Sequence, residues 1–248
     1  MTCSIGPPAS SAGRVSRTGD SVTAPVAHVS LDDGKANALN DASIDALLHG
    51  IDRARADGAG VLVIRGRSGV FSGGIDLGVL RGDDPQARLA TLIRIARGLL
   101  AVWTAPIPTV AAVTGHAIAG GAVLAMACDQ RIALDDADHR IGVNETALGM
   151  AFPTWALVIC RSAIRPERLT ETMLLGRTFA PSRAAETGIV ERAVAPADFD
   201  TAVEDAAAEA AALPTAAYAR TKLRLREAEK TRAEALIGDE MGTFGGPT

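Results

Sequence analysis

Short β-branched runs recur along the chain with helical patterns between them, and this alternation constrains the fold more than any single motif. The runs are APVAHVSL (24–31), GVLVIRG (60–66) and PTVAAVTG (108–115), with weaker ones at QRIAL (130–134) and GIVERAV (188–194). Each is bounded by Gly, Pro or Asp, residues that end strands. Between the first two lies DASIDALLHGIDRARADG, where Ile44, Leu47, Leu48, Ile51 and Ala54 recur at helical spacing. Asn40 or Asp41 is placed to cap its start and Gly58 to end it. A second helix is expected over 84–103. Strands alternating with helices need crossover connections and a mostly parallel sheet, so the class is α/β.

Beyond about residue 153 the strand signal fades. PTWALVICRSAI, RPERLTETMLLG, APSRAAETG, DFDTAVEDAAAEAAAL and TAAYARTKLRLREAEKTRAEALIG all read as helical. The division expected is an N-terminal extension over 1–22, an α/β core over 23–195 and a helical C-terminal layer over 196–248. The extension is rich in Ser, Gly and Pro and is expected to be disordered. Ala-rich C-terminal helices pack on a partner subunit or form a solvated amphipathic face, and periodicity does not choose between them.

Composition removes several function classes. At 48% hydrophobic and 22% charged, 248 residues can bury a core. The net charge of −4 comes without a dense basic run, and aromatics make up only 3%. Nucleic acid and anionic membrane are therefore not expected partners. No uninterrupted apolar stretch reaches the length of a membrane span. Cys3, Cys128 and Cys160 form no C-x-x-C pair. Their number and spacing fit buried thiols in a reducing, cytoplasmic setting and no metal site.

Four segments are placed to carry chemistry. DDGKANALN (32–40) follows a strand and precedes a capped helix, where open α/β sheets bind ligands. Lys35 is either a phosphate-binding cation or a solvated turn lysine. FSGGIDLGVL (71–80) sets two glycines after a strand, which suits close approach of backbone to a ligand or a tight turn. TGHAIAGGAVLAMACD (114–129) starts like a loop and ends like a helix. Ala119, Gly120 and Gly121 at a helix mouth can donate N–H groups to an oxyanion, or can allow close helix–sheet packing. It matches neither the dinucleotide fingerprint nor the phosphate-cradling loop. HRIGVNETALGM (139–150) sets Glu145 among apolar residues. Such a carboxylate is either a base with a raised pKa or a helix-start acid with Asn144 as cap.

Taken together, KANALN, FSGGIDL, GHAIAGGAVLAMACD and IGVNETALGM, in this order and spacing, resemble the crotonase (enoyl-CoA hydratase/isomerase) superfamily over roughly residues 24–230. The resemblance implies a crotonase/ClpP-like spiral of ββα units with a helical C-terminal trimerisation layer, homotrimers or hexamers, and acyl- or enoyl-CoA thioesters as substrates in fatty-acid metabolism. It implies no separate cofactor, since coenzyme A belongs to the substrate, and no metal. It assigns the backbone N–H groups of Ile75 and Gly120 to an oxyanion hole for the thioester oxygen. Such a donor is worth roughly 10²–10³ in rate. It places CoA and substrate along Lys35, Ala36, Ala38, Leu39, Gly73, Gly74, Asp76, Leu77 and Asn144. Asp76 is expected to accept N–H bonds from its own loop, and His116 to be a packing or surface residue.

Hydratases of that family use two glutamates. Here the first falls on Val123, which cannot orient water, and the second on Glu145. One carboxylate suits movement of a double bond from C3 to C2, and IGVNETALGM is similar to the Δ3,Δ2-enoyl-CoA isomerases of the family. The expectation is an isomerase with Glu145 as proton shuttle. Alternatives are a hydratase in which Asp83 or Asp84 replaces the missing glutamate, and a CoA-ester-binding protein without turnover. Val123 and Ala119, where many relatives carry Gly, leave room for the latter. Thioester hydrolysis has no extra acid or nucleophile in these loops to support it.

Overall fold

The structure, a computed structural model, describes residues 2–5 and 24–244. It begins with β1 (Thr2–Ile5), β2 (Val26–Leu31), α1 (Asp41–Ala56), β3 (Val61–Gly66), β4 (Gly69–Ser72), α2 (Leu77–Leu80) and α3 (Pro85–Trp103). Next come β5 (Thr109–Val113), β6 (Gly115–Ile118), α4 (Gly120–Ala127), β7 (Gln130–Leu134), β8 (Ile141–Gly142) and α5 (Thr154–Ala163). The chain ends with α6 (Pro181–Thr187), β9 (Arg192–Val194), α7 (Phe199–Ala211) and α8 (Thr215–Thr243).

Two sheets share these strands. The larger runs β1-β2-β3-β5-β7-β9, and the smaller runs β4-β6-β8. Every pairing is parallel except β1 with β2. From β3 onward the chain repeats one unit. A strand enters the large sheet, the next enters the small sheet, and a helix returns: β3–β4–α3, β5–β6–α4 and β7–β8–α5. This is the spiral of ββα units expected above, and it is the crotonase fold.

The central strands β3 and β5 of the large sheet are buried on both faces, as parallel strands are. Along β3, Leu62 and Ile64 join the main core with Ile44 and Leu47 of α1, Leu99 of α3 and Leu124 of α4. Val61 and Val63 face the other way and pack under Phe199, Val203 and the alanines of α7. Each large aliphatic side chain so buried contributes about 1.5–3 kcal/mol. Asn40, not Asp41, caps α1 in a reciprocal box: Ser43 N donates to Asn40 Oδ1 (3.1 Å), and Asn40 N donates to Ser43 Oγ (2.8 Å).

The structure corrects the expected elements in several places. The run 108–115 is not one strand, because the chain leaves the large sheet after Val113 and enters the small one at Gly115. The sequence pattern marks none of the three strands of the small sheet as an element of its own. They are 4, 4 and 2 residues long, too short to show a period, and their hydrogen-bond partners are distant in sequence. The last strand is only Arg192–Val194, since Gly188 (φ +88) ends α6 and the chain turns before pairing. RPERLTETMLLG contains a 3₁₀ turn at Pro166–Arg168 and a π-helical turn at Thr170–Leu174. Within the expected N-terminal extension, Thr2–Ile5 pairs with β2, and residues 6–23 lie outside the described ones. In the C-terminal layer α7 covers the large sheet, whereas α8 lies over α3 and α5. No helix among the described residues is long and apolar enough to cross a membrane.

Candidate active site at the ends of the small sheet

The register of the small sheet lines up the three segments that follow its strands. Ser72 of β4 pairs with Ala117 of β6, and Ala117 pairs with Ile141 of β8. Counting forward from that row, Ile75 and Gly120 each lie three residues beyond it and Glu145 lies four beyond. Parallel strands send their chains out at the same end, so residues 75, 120 and 145 leave the sheet together.

The first two segments touch. Gly74 has φ +91, and a side chain there would meet Ile118 O at 2.9 Å and Gly120 N at 3.1 Å. Only glycine meets both demands. A side chain at Gly120 would meet Leu39 Cδ1 at 3.1 Å, Ile75 Cγ1 at 3.5 Å and Gly74 Cα at 3.6 Å. Gly120 opens α4, so its N–H has no acceptor within the helix. Ala119 before it holds φ +51 and ψ −129, a strained backbone for a residue with a Cβ. Its N–H is pinned to Gly142 O of β8 at 2.9 Å. Ile75 bridges Leu39 in parallel: Leu39 N donates to Gly74 O (2.8 Å) and Asp76 N donates to Leu39 O (3.0 Å). A planar trans peptide points its C=O and N–H in opposite directions. The Ile75 N–H therefore points away from the Leu39 segment.

Glu145 is 6% exposed and is the only buried carboxylate among the described residues. Burial pushes it up to about 7, against one hydrogen bond from its own backbone that acts to lower it. Its Oε2 is buried with no hydrogen-bond partner, as is Asn144 Oδ1. The turn that carries it is anchored. Leu148 N and Met150 N donate to Glu145 O (3.0 and 2.9 Å), and Thr146 Oγ1 donates to Met173 O (2.8 Å). Glu145 opens only a three-residue 3₁₀ helix, with no cap bond from its side chain. This geometry does not support the helix-start alternative. Cys160 of α5 lies within reach of its charge, which together with burial raises that thiol. Val123 is 1% exposed in the core side of α4.

The loop before α1 lies against the 73–76 loop. Gly73 N donates to Ala36 O at 2.8 Å. Leu39 is buried, Ala38 is half-buried, and Lys35 and Ala36 are exposed. Asp33 accepts from Lys35 N (2.8 Å), Asn37 N (2.9 Å) and Ala38 N (3.1 Å). Burial alone would raise Asp33, but these backbone donors hold it below the usual carboxylate range. The Ala38 N–H is thus engaged within the loop, and the exposed face around Lys35 is what a ligand would meet. Arg67 Nε donates to Lys35 O (2.8 Å) and braces the same loop.

Asp76 caps α2, accepting from Gly78 N at 2.7 Å and Asn40 Nδ2 at 3.5 Å, the loop-holding role expected of it. Leu77 beside it is 58% exposed. Asp83 and Asp84 are exposed, and Asp84 caps α3 through Gln86 N (2.9 Å). His116 is half-buried on β6. Its Nδ1 accepts from Arg140 N (3.0 Å), and burial, with His139 and Arg140 nearby, lowers its pKa. A separate cavity of about 470 Å³ opens between α5 and α8, lined by Trp103, Leu157, Arg161 and Leu225 among others. None of residues 73–76, 119–121 or 145 lines it.

Sequence reasoning passed over Asn37, Ser72 and Arg67. The only local signal was Asn37 in a turn-rich stretch, since Asn tolerates positive φ and here adopts +50°.

The 73–76 and 119–121 loops and the buried carboxylate of Glu145 thus follow neighbouring strands of one sheet and supply groups that can donate N–H bonds and hold a proton. The fold carrying them resembles that of an apo Mycobacterium tuberculosis enoyl-CoA isomerase, with TM-score 0.80, 36% identity, and coverage of 88% of this chain and 94% of that one. It resembles equally an enoyl-CoA hydratase from Mycobacterium ulcerans, with TM-score 0.81, 33% identity, and coverage of 92% and 99%. In sequence the chain is 31% identical over 173 residues to human mitochondrial enoyl-CoA delta isomerase 1, covering 70% of this chain and 57% of that protein. The chain thus spans less than two thirds of the length of the mammalian isomerases it matches, 57–58%. The enoyl-CoA hydratase/isomerase family model matches residues 21–245, and the chain belongs to that family.

Proposed function

We propose that the protein is an enoyl-CoA isomerase that moves a double bond from C3 to C2 of a CoA thioester. The observation that carries this reading is Glu145, a buried carboxyl with a free oxygen and a pKa near 7, at the sheet end that also presents Ile75 and Gly120. Glu145 takes a proton from C2, the C2–H electrons form a C1–C2 double bond, and the carbonyl π electrons move onto the thioester oxygen, giving a dienolate in which the C3–C4 double bond is still present. The N–H groups of Ile75 and Gly120 hold that oxygen. Glu145 then returns the proton at C4, leaving the C2–C3 double bond. CoA lies along Lys35–Leu39, with Gly73, Gly74, Asp76, Leu77 and Asn144 around the acyl portion.

Val123 supports isomerisation over hydration, because it stands where the family's hydratases carry their other glutamate, and a buried apolar side chain can neither orient water nor transfer a proton. Asp83 and Asp84 are exposed, and Asp84 is engaged in capping. The reading includes assembly into a homotrimer or hexamer through the C-terminal layer, supported by Leu223 and Leu225 of α8, which are 46% and 77% exposed.

The test is turnover of a 3-enoyl-CoA and water addition to crotonyl-CoA, each with wild type and Glu145→Gln. Isomerisation without hydration is expected. The substitution should remove about 10²–10⁴ of the rate, the usual worth of a positioned base. Undiminished isomerisation by Glu145→Gln would rule out the shuttle. Efficient hydration by wild type would favour a hydratase, and binding of enoyl-CoA without turnover would favour a binding protein.

A further inference from the structure

One buried serine touches all three segments that build the donor side of the site, two through its hydroxyl and the third through its backbone and Cβ. Ser72, the last residue of β4, is 0% exposed. Its Oγ donates to Asn37 O at 2.7 Å and accepts from Gly74 N at 3.2 Å. On its other side lies Gly121, the second residue of α4. A side chain at Gly121 would collide with Ser72 O and lie 2.9 Å from Ser72 Cβ. Ser72 therefore bonds to the loop before α1, bonds to the Gly73–Gly74 turn, and seats the N-terminus of α4.

Its acceptor is itself held. Asn37 is 1% exposed with φ +50. Asn37 Nδ2 lies at hydrogen-bonding distance from Leu31 O (2.7 Å), Val70 O (3.2 Å) and Phe71 O (3.2 Å), and Asn37 Oδ1 accepts from Asp33 N (3.1 Å). The hydroxyl is thus fixed by a rigid carbonyl and offers its lone pair in one direction, to Gly74 N–H.

We propose that Ser72 is a positioning residue that sets the Ile75 and Gly120 N–H groups in a single geometry toward one carbonyl oxygen. The proposal rests on the oxyanion assignment made above. Gly74 stands between two peptide planes. Ser72 holds the N–H of the first, and Leu39 N–H holds the C=O of the second, whose other end is the Ile75 N–H. With both planes held, the direction of the Ile75 N–H is determined. Without the hydroxyl, Gly74 has no Cβ to restrain its rotation, and one buried N–H and one buried C=O lose a partner. The packing of Gly121 on the backbone and Cβ of Ser72 seats the Gly120 N–H beside the same residue.

The test separates orientation from binding. An aryl-conjugated enoyl-CoA such as 4-dimethylaminocinnamoyl-CoA absorbs at longer wavelength when its thioester carbonyl is polarised, so its red shift on binding reads the donors directly. Wild type should shift the band. Ser72→Ala should bind the ligand, lose most of the shift, and show little change in KM. Its kcat should fall by up to roughly 100-fold, the effect of displacing a catalytic group by about 1 Å. Ser72→Cys, a weaker donor and acceptor, should fall between the two. A wild-type shift and kcat in Ser72→Ala would overturn the proposal alone, as would weaker affinity with the shift intact in the bound fraction. If Ser72→Ala does not fold, Ser72→Cys decides: a reduced shift supports the proposal and a wild-type shift overturns it. A wild-type protein that binds without any red shift would overturn the oxyanion assignment and this proposal with it.

Discussion

A carboxyl moved from water into apolar surroundings holds its proton to higher pH, and Glu145 does so up to about 7. Between its ordinary value of 4.5 and about 7, the folded protein binds more protons at this site than the unfolded chain. Stability therefore falls as pH rises through that window, by up to about 3 kcal/mol in all. Activity runs the other way, because only the carboxylate removes a proton, so kcat/KM should rise with a midpoint near 7. Glu145→Gln should be more stable than wild type above that midpoint and equal to it near pH 4. Denaturant melts at both pH values check this, and a variant less stable than wild type at pH 8 would contradict it. The strain at Ala119 belongs to the same site: a backbone shape better suited to glycine stands next to the proposed oxyanion donor.

Among the elements, α8 depends on polar anchors more than on an apolar face. Only Lys222, Ala233, Ile237 and Met241 are buried along its 29 residues. Lys222 Nζ and Arg226 Nη1 reach Asp129 at 2.7 and 2.9 Å, and Asp129 also accepts from Thr109 N and Oγ1, each at 2.9 Å. Burial would raise Asp129, but Lys222 and Arg226 hold it below the usual carboxylate range. Its contribution is present above the unfolded value and fades as pH falls through the folded one. Farther along, Glu240 caps α5 through Thr154 N (2.7 Å) and Oγ1 (2.6 Å). Asp129→Ala leaves the Lys222 ammonium buried without a counter-charge, and should destabilise the protein by about 3–5 kcal/mol in chemical denaturation. A loss below about 1 kcal/mol, the size of an exposed pair, would show that water reaches the cluster.

For the whole molecule, the proposed assembly makes a simple prediction. Light scattering should report a trimer or hexamer of the 25.5 kDa chain, and Leu225→Asp should move the mass toward monomer. A monomeric wild type would leave Leu223 and Leu225 as ordinary exposed leucines, which monomers tolerate singly. The architecture also explains how the proposed site draws on residues from 75 to 145. Each ββα unit delivers its second strand to the same small sheet, so segments about 25–45 residues apart emerge side by side.

Legibility in the sequence followed the range of the forces involved. Helix α1 was readable with its cap because Asn40 and Ser43 bond within four residues, and because five apolar residues share one face. The buried strands were readable because β-branched runs bounded by Gly, Pro or Asp carry their own signal. The glycine loops and Glu145 were readable as motifs, through family resemblance and an apolar neighbourhood. Their shared row at Ser72, Ala117 and Ile141 was not readable, since strands of 2–4 residues exist only through partners far along the chain. Nor was the division of 108–115, because both halves are equally apolar and only the second sheet pulls them apart. By itself, then, the sequence determined the alternation of elements, where α1 begins and the residue types available for chemistry. The tertiary structure alone decided which of them meet: that one oxygen of Glu145 is buried without a partner, that Gly74 and Gly120 are in contact, and that Ser72 touches Gly74 and Gly121. Burial and non-local hydrogen bonds are properties of what packs around a residue, and no local pattern encodes them.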